Sequence, residues 1–103
     1  MEKYKVVISE QAKKQLVTHA AFLARVSRPA AERLAAGFRK AAGSLETMPQ
    51  RCQWLNGEYL PRCAYRQLMF EKRYMLIFQI KDDTVYIEYV IDCRQDYGWL
   101  MEQ

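Results

Sequence analysis

A chain of 103 residues, half of them hydrophobic and 13% aromatic, suffices for one domain with its own core and is too apolar for intrinsic disorder. Its net charge of +4 is uneven: residues 1–50 hold nine Lys/Arg against four acids, residues 51–103 seven against eight. The basic half fits a polyanion or an acidic protein as partner, and fits equally well a pair of well-solvated helices.

The three cysteines, Cys52, Cys63 and Cys93, show no CxxC spacing, and His19 is the only histidine. A zinc site is not expected, nor any other metal or cofactor. Residues Met1 to Lys5 contain no apolar signal core, and no apolar run reaches the roughly 18 residues of a membrane span. The expectation is one domain, 1–103, in a reducing cytoplasm, with no membrane partner.

Tyr4 to Ser9 reads as a short strand, with Ser9 as N-cap and Glu10 in the first turn of a helix that runs to about Val26. Ala12, Leu16, Ala20 and Leu23 recur at helical spacing and mark its buried stripe. His19 borders that stripe and reads as a half-buried helix residue. Ser27-Arg28-Pro29 breaks the helix, and a second runs from about Ala30 to Glu46, burying Leu34, Phe38, Ala41 and Leu45. So short a link makes the two an antiparallel hairpin. Gly37 and Gly43 suggest close packing against a neighbour.

Met48-Pro49 closes the second helix. Gln50 to Ala64 carries no clear element: Asn56-Gly57 signals a turn, and Pro61 argues against a central strand. Three strands then follow, Tyr65–Phe70, Tyr74–Ile80 and Val85–Asp92, joined by Glu71-Lys72-Arg73 and by Lys81 to Thr84. Tyr74 to Ile80 is almost continuously apolar, as in a strand covered on both faces. Val85 to Asp92 alternates, with Val85, Ile87, Tyr89 and Ile91 on one side and Tyr86, Glu88, Val90 and Asp92 on the other. Arg94 to Met101 suits a short last helix. The predicted fold is α+β, a two-layer sandwich: an N-terminal strand, then a helical hairpin on an antiparallel sheet (β-α-α-β-β-β), the first strand at an edge or beside the last.

No phosphate loop, HExxH or GxSxG occurs. What remains is a set of Arg, Lys and Tyr near strand ends: Arg66, Lys72, Arg73, Arg94 and Tyr97. Arginine binds phosphate oxygens through its planar fork, and tyrosine stacks on bases or moves protons beside a cation. Residue types alone favour the plainer reading, in which Tyr97 packs on the sheet while Arg94 pairs with Asp92 or Asp96. Regular pairing puts Arg66 and Arg94 at opposite ends, so a bend is needed to join them.

Tyr4 to Leu16 resembles the opening strand and helix of the RelE/ParE superfamily of type II toxins, small basic proteins encoded beside an antitoxin. Leu45-Glu46-Thr47-Met48-Pro49 resembles the close of the family's second helix. Tyr65-Arg66, Tyr74 to Phe78 and Asp82 to Ile87 resemble its sheet. RelE-like members cut mRNA on the ribosome without metal; ParE-like members block DNA gyrase and cut nothing. Cys93-Arg94-Gln95-Asp96-Tyr97 is similar to the terminal Cys-Arg-x-His-Tyr of the YoeB-like nucleases. The resemblance implies a ribosome-dependent endoribonuclease in which Arg94 binds the phosphate, Tyr97 contacts the base or helps proton transfer, and Arg66 stabilises the transition state. It implies an antitoxin as partner, and Lys13, Lys14, Arg33, Arg39, Lys72 and Arg73 as contacts to ribosomal RNA. The alternatives are a gyrase inhibitor and a toxin that only binds its antitoxin.

Overall fold

A computed structural model describes residues 3–55 and 63–93. Strand β1 (Lys5–Ile8) leads into helices α1 (Glu10–Ala24) and α2 (Arg28–Ser44). A 3-10 turn (Pro49–Arg51) and strands β2 (Gln53–Leu55), β3 (Tyr65–Phe70), β4 (Tyr74–Lys81) and β5 (Thr84–Asp92) follow. The helices pack on one face of a five-stranded sheet ordered β1-β5-β4-β3-β2.

Both helices start on serine caps. Ser9 Oγ accepts from Ala12 N at 3.0 Å, and Ser27 Oγ accepts from Ala30 N at 3.3 Å. The second cap draws α2 back to Arg28, two residues earlier than expected, with Pro29 in its first turn, where a missing N–H costs nothing. The apolar stripes lie inward as read: Ala12, Leu23, Leu34, Phe38, Ala41 and Leu45 are buried, and Leu16 and Ala20 pack against them. Gly37 is a true close approach, since a Cβ there would stand 2.6 Å from Glu71 Cγ, whereas nothing lies within 4 Å of a Cβ at Gly43.

The sheet corrects three expectations. It is mixed: β1 pairs with β5 in parallel, Lys5 against Thr84 through Ile8 against Ile87, because the α1–α2 hairpin carries the chain across and back. The unassigned stretch holds a fifth strand, β2, antiparallel to β3 and only three residues long. Lastly, the facing of β5 changes midway. Ile77 pairs with Tyr89 and Phe78 with Ile87, so Glu88 is an extra residue, a β-bulge that resets the alternation. Val85, Ile87 and Val90 therefore face the helices, and Tyr89 and Ile91 face away. On β4, Tyr74, Leu76 and Phe78 join the helical core while Met75 and Ile77 are buried on the other face, as the continuous apolar run predicts.

Where β1 stops, α1 takes over the edge of β5. Ser9 Oγ donates to the Glu88 carbonyl at 3.0 Å, and Val90 N donates to Gln15 Oε1 at 2.8 Å. His19 Nε2 stands 3.0 Å from the Val90 carbonyl; a carbonyl only accepts, so this nitrogen carries the proton. The cap and two helix side chains thus stand in for a missing strand, and His19, its ring 5.5 Å from that of Tyr74, is a structural residue. Among the described residues no helix is long and apolar enough to cross a membrane.

Candidate functional site

Of the three residues expected at a reacting phosphate, Arg66 alone is described; Arg94, Tyr97 and the expected last helix lie outside the described residues. Arg66 sits on β3 opposite Trp54 of β2. Its Nη1 donates to two backbone carbonyls, Gln50 O at 2.9 Å and Cys52 O at 2.8 Å. Its guanidinium lies 3.7 Å from the centroid of the Trp54 ring. One guanidinium nitrogen and the flat face are therefore both engaged, and they tie β2 and the 3-10 turn to the body of the sheet.

Strand register separates Arg66 from the segment that carries Arg94. Arg66 is level with Phe78, and Asp92 is level with Tyr74. Four residues at about 3.3 Å each set the two levels roughly 13 Å apart along the strands. Cys93, whose N–H donates to Arg73 O at 2.7 Å, leaves the sheet at the end of the β3–β4 turn. Lys72 and Arg73 thus stand beside the departing chain and Arg66 at the far end. Glu71 and Lys72 in that turn have φ of 49° and 64°, left-handed values unusual for side chains of their size.

The helical cations spread over the outer surface. Lys13, Lys14, Arg33 and Arg39 are all exposed, and Lys13 Nζ reaches Glu10 at 3.4 Å. Such an exposed pair adds little to stability. Arg51 serves the fold. Its Nη1 donates to Thr47 O at 3.1 Å and Met48 O at 3.2 Å, and its Nη2 to Ser44 Oγ at 2.9 Å, closing the end of α2.

The sheet face turned away from the helices has a different chemistry. Leu55, Met75, Ile77 and Ile91 are buried there, with Tyr65, Tyr89 and Cys93 against them. Glu88, next after the inward Ile87, falls on this face by alternation and acts on Tyr65 there, and the bulge brings Tyr89 to the same side. Burial raises its carboxyl above the usual glutamate range, and Lys81 opposes that rise. Tyr65 is raised in turn by burial, then by the charges of Glu88 and Tyr89. Burial also raises the thiols of Cys52, against Arg51 and Arg66, and of Cys93, with Asp92 adding to the rise. Raised thiols are protonated and poorly nucleophilic. Among the described residues no group of three or more His, Cys, Asp or Glu is placed to hold a metal ion. Sequence reading missed Glu88 and Trp54; the one signal was an acid inside an otherwise apolar strand.

No curated protein matches the chain. Among solved structures it is similar to a protein of the chromosomal ParDE toxin–antitoxin system of P. aeruginosa, at TM-score 0.71 and 13% identity over 87% of this chain and 96% of that one. It is also similar to a chain of the RelBE2 toxin–antitoxin complex of Mycobacterium tuberculosis, at TM-score 0.61 and 24% identity over 89% and 93%. At such identities the likeness is one of fold. The family comparison goes further, matching the ParE toxin of the type II toxin–antitoxin system parDE over residues 6–97. With nearly its whole length matched and the same strand–helix–helix–sheet fold, the chain belongs to the ParE toxin family of type II toxin–antitoxin systems.

Proposed function

We propose that this toxin acts by binding a protein target, DNA gyrase being the one the ParE resemblance implies, and not by cutting mRNA. The observation that carries this reading is the engagement of Arg66. A transition-state arginine aims its fork at the phosphate. Here Nη1 is spent on the Gln50 and Cys52 carbonyls and the flat face lies over the ring of Trp54, roughly 13 Å in strand register from the level at which the chain leaves for Arg94. The helix-free face supports the same reading. Its described centre is apolar and aromatic with one carboxylate, and a carboxylate repels a phosphate backbone. A protein inhibitor needs contact surface and no acid–base pair. The cognate antitoxin is the second protein partner, as in the ParDE and RelBE2 systems that share the fold.

The test runs two assays on one preparation without antitoxin. Purified gyrase is expected to lose supercoiling activity as toxin is added, while a defined mRNA in a purified translation system stays uncut by primer extension. Ribosome-dependent cuts that disappear in Tyr97→Ala, with supercoiling intact, would overturn the proposal in favour of the endoribonuclease.

A further inference from the structure

The bulge in β5 carries a carboxylate on the helix-free face. Glu88 Oε2 is shut off from solvent and has no hydrogen-bond partner among the described residues. Neither of the ion pairs seen among those residues, Lys13–Glu10 and Arg28–Glu32, involves it. Buried carboxylate oxygens are ordinarily satisfied, because losing water without gaining a donor is costly. The Glu88 main chain, by contrast, is engaged, its carbonyl accepting from Ser9 Oγ.

We propose that Glu88 is a receptor for a cationic side chain, arginine foremost, presented by the protein on which this toxin acts. The inference deepens the protein-target reading and rests on it. Three observations support it. First, the residue as a whole is half-buried, so part of it still meets solvent while Oε2 is already dehydrated. A charge-assisted bond gains strength in such a setting. Second, the neighbours suit a guanidinium. Tyr65 from β3 feels the charge of Glu88, Tyr89 follows it in β5, and phenol rings accept cations on their faces. Lys81 from β4, the cation that Glu88 feels, is exposed and forms no ion pair with it. Third, Tyr65 and Tyr89 pack against Met75, Ile77 and Ile91, which are buried, so the acid lies beside an apolar cluster that lowers the local dielectric.

An unsatisfied acid held in a bulge lowers the stability of the free protein, which separates this role from a structural one. Glu88→Gln keeps the shape and removes the charge. Wild type and Glu88→Gln are compared for affinity to purified gyrase by surface plasmon resonance, and for stability by urea unfolding between pH 4 and 8. The expected result is binding weakened by about tenfold or more, with stability at neutral pH equal or higher. The pH profile follows from the raised carboxyl. The contribution of Glu88 to wild-type stability is most favourable below the ordinary glutamate value of 4.5 and is lost as pH rises through the raised value; Glu88→Gln lacks that loss. Wild-type binding matched by Glu88→Gln overturns the inference alone, as does a variant that is less stable at every pH. A wild type that fails to bind gyrase overturns the protein-target reading, and the receptor with it.

Discussion

Arg66 shows how a residue type can fit two roles that geometry separates. Its donors point at carbonyls of a segment with almost no regular structure, and its flat face covers Trp54, which is 38% exposed. Lysine would keep the charge and lose both the fork and the stack. Arg66→Lys is therefore expected to cost about 1–3 kcal/mol in urea unfolding, from loosening β2 and the Pro49–Arg51 turn. A stability loss below about 0.5 kcal/mol, the size of an ordinary surface change, would show that the guanidinium is free. The pattern of residue types could not reveal this. A sheet arginine before Leu68 is compatible with a phosphate site and with a strap, and the deciding partners are main-chain oxygens of Gln50 and Cys52, which no side-chain pattern records.

Among the elements, the two helices were the most legible, because Leu34, Phe38, Ala41 and Leu45 declare one buried face at helical spacing. Strand β4 was legible for a related reason, its apolar run matching burial on both faces. Strand β5 was legible as a strand and misread in its facing beyond Ile87. A bulge is a backbone event, and the alternation Val85-Ile87-Tyr89-Ile91 looks unbroken in one dimension. Strand β2 was missed because three residues carry no period. The replacement of a strand by α1 was equally hidden: Gln15 and His19 look like ordinary polar positions until Val90 is placed beside them. Gln15→Leu would leave the Val90 N–H unpaired beside the helix. The expected cost is about 1–3 kcal/mol, with faster amide exchange at Val90 than at Leu76 in the strand centre. Unchanged exchange at Val90 would mean that water or another group serves the amide equally well.

At the scale of the whole molecule, charge and chemistry divide between the two layers. The outer helical surface carries Lys13, Lys14, Arg33 and Arg39, all exposed, and the opposite sheet face is apolar, aromatic and acidic. The exposed helical cations favour a fast, salt-sensitive approach of an acidic partner to the helical layer. Replacing the four helical cations with glutamine should slow association with the cognate antitoxin about tenfold or more at low salt and much less at high salt, leaving gyrase inhibition unchanged. Equal slowing at both salt concentrations would place the effect in folding.

The parallel pairing of β1 with β5 also bears on how the molecule is made. Lys5 to Ile8 must wait for Thr84 to Ile87, far along the chain, before the sheet can close. The β3–β4–β5 meander is built from near neighbours, whereas the closing pair carries the entropy of a very long loop. On the ribosome the N-terminal strand and both helices emerge first, with their apolar stripes uncovered until the last strands arrive. A polypeptide interrupted before Thr84 lacks both the seat for its first strand and most of the surface its helices pack on. Synthesis itself is thus an all-or-nothing gate: the message must be read through β5 before a folded toxin exists.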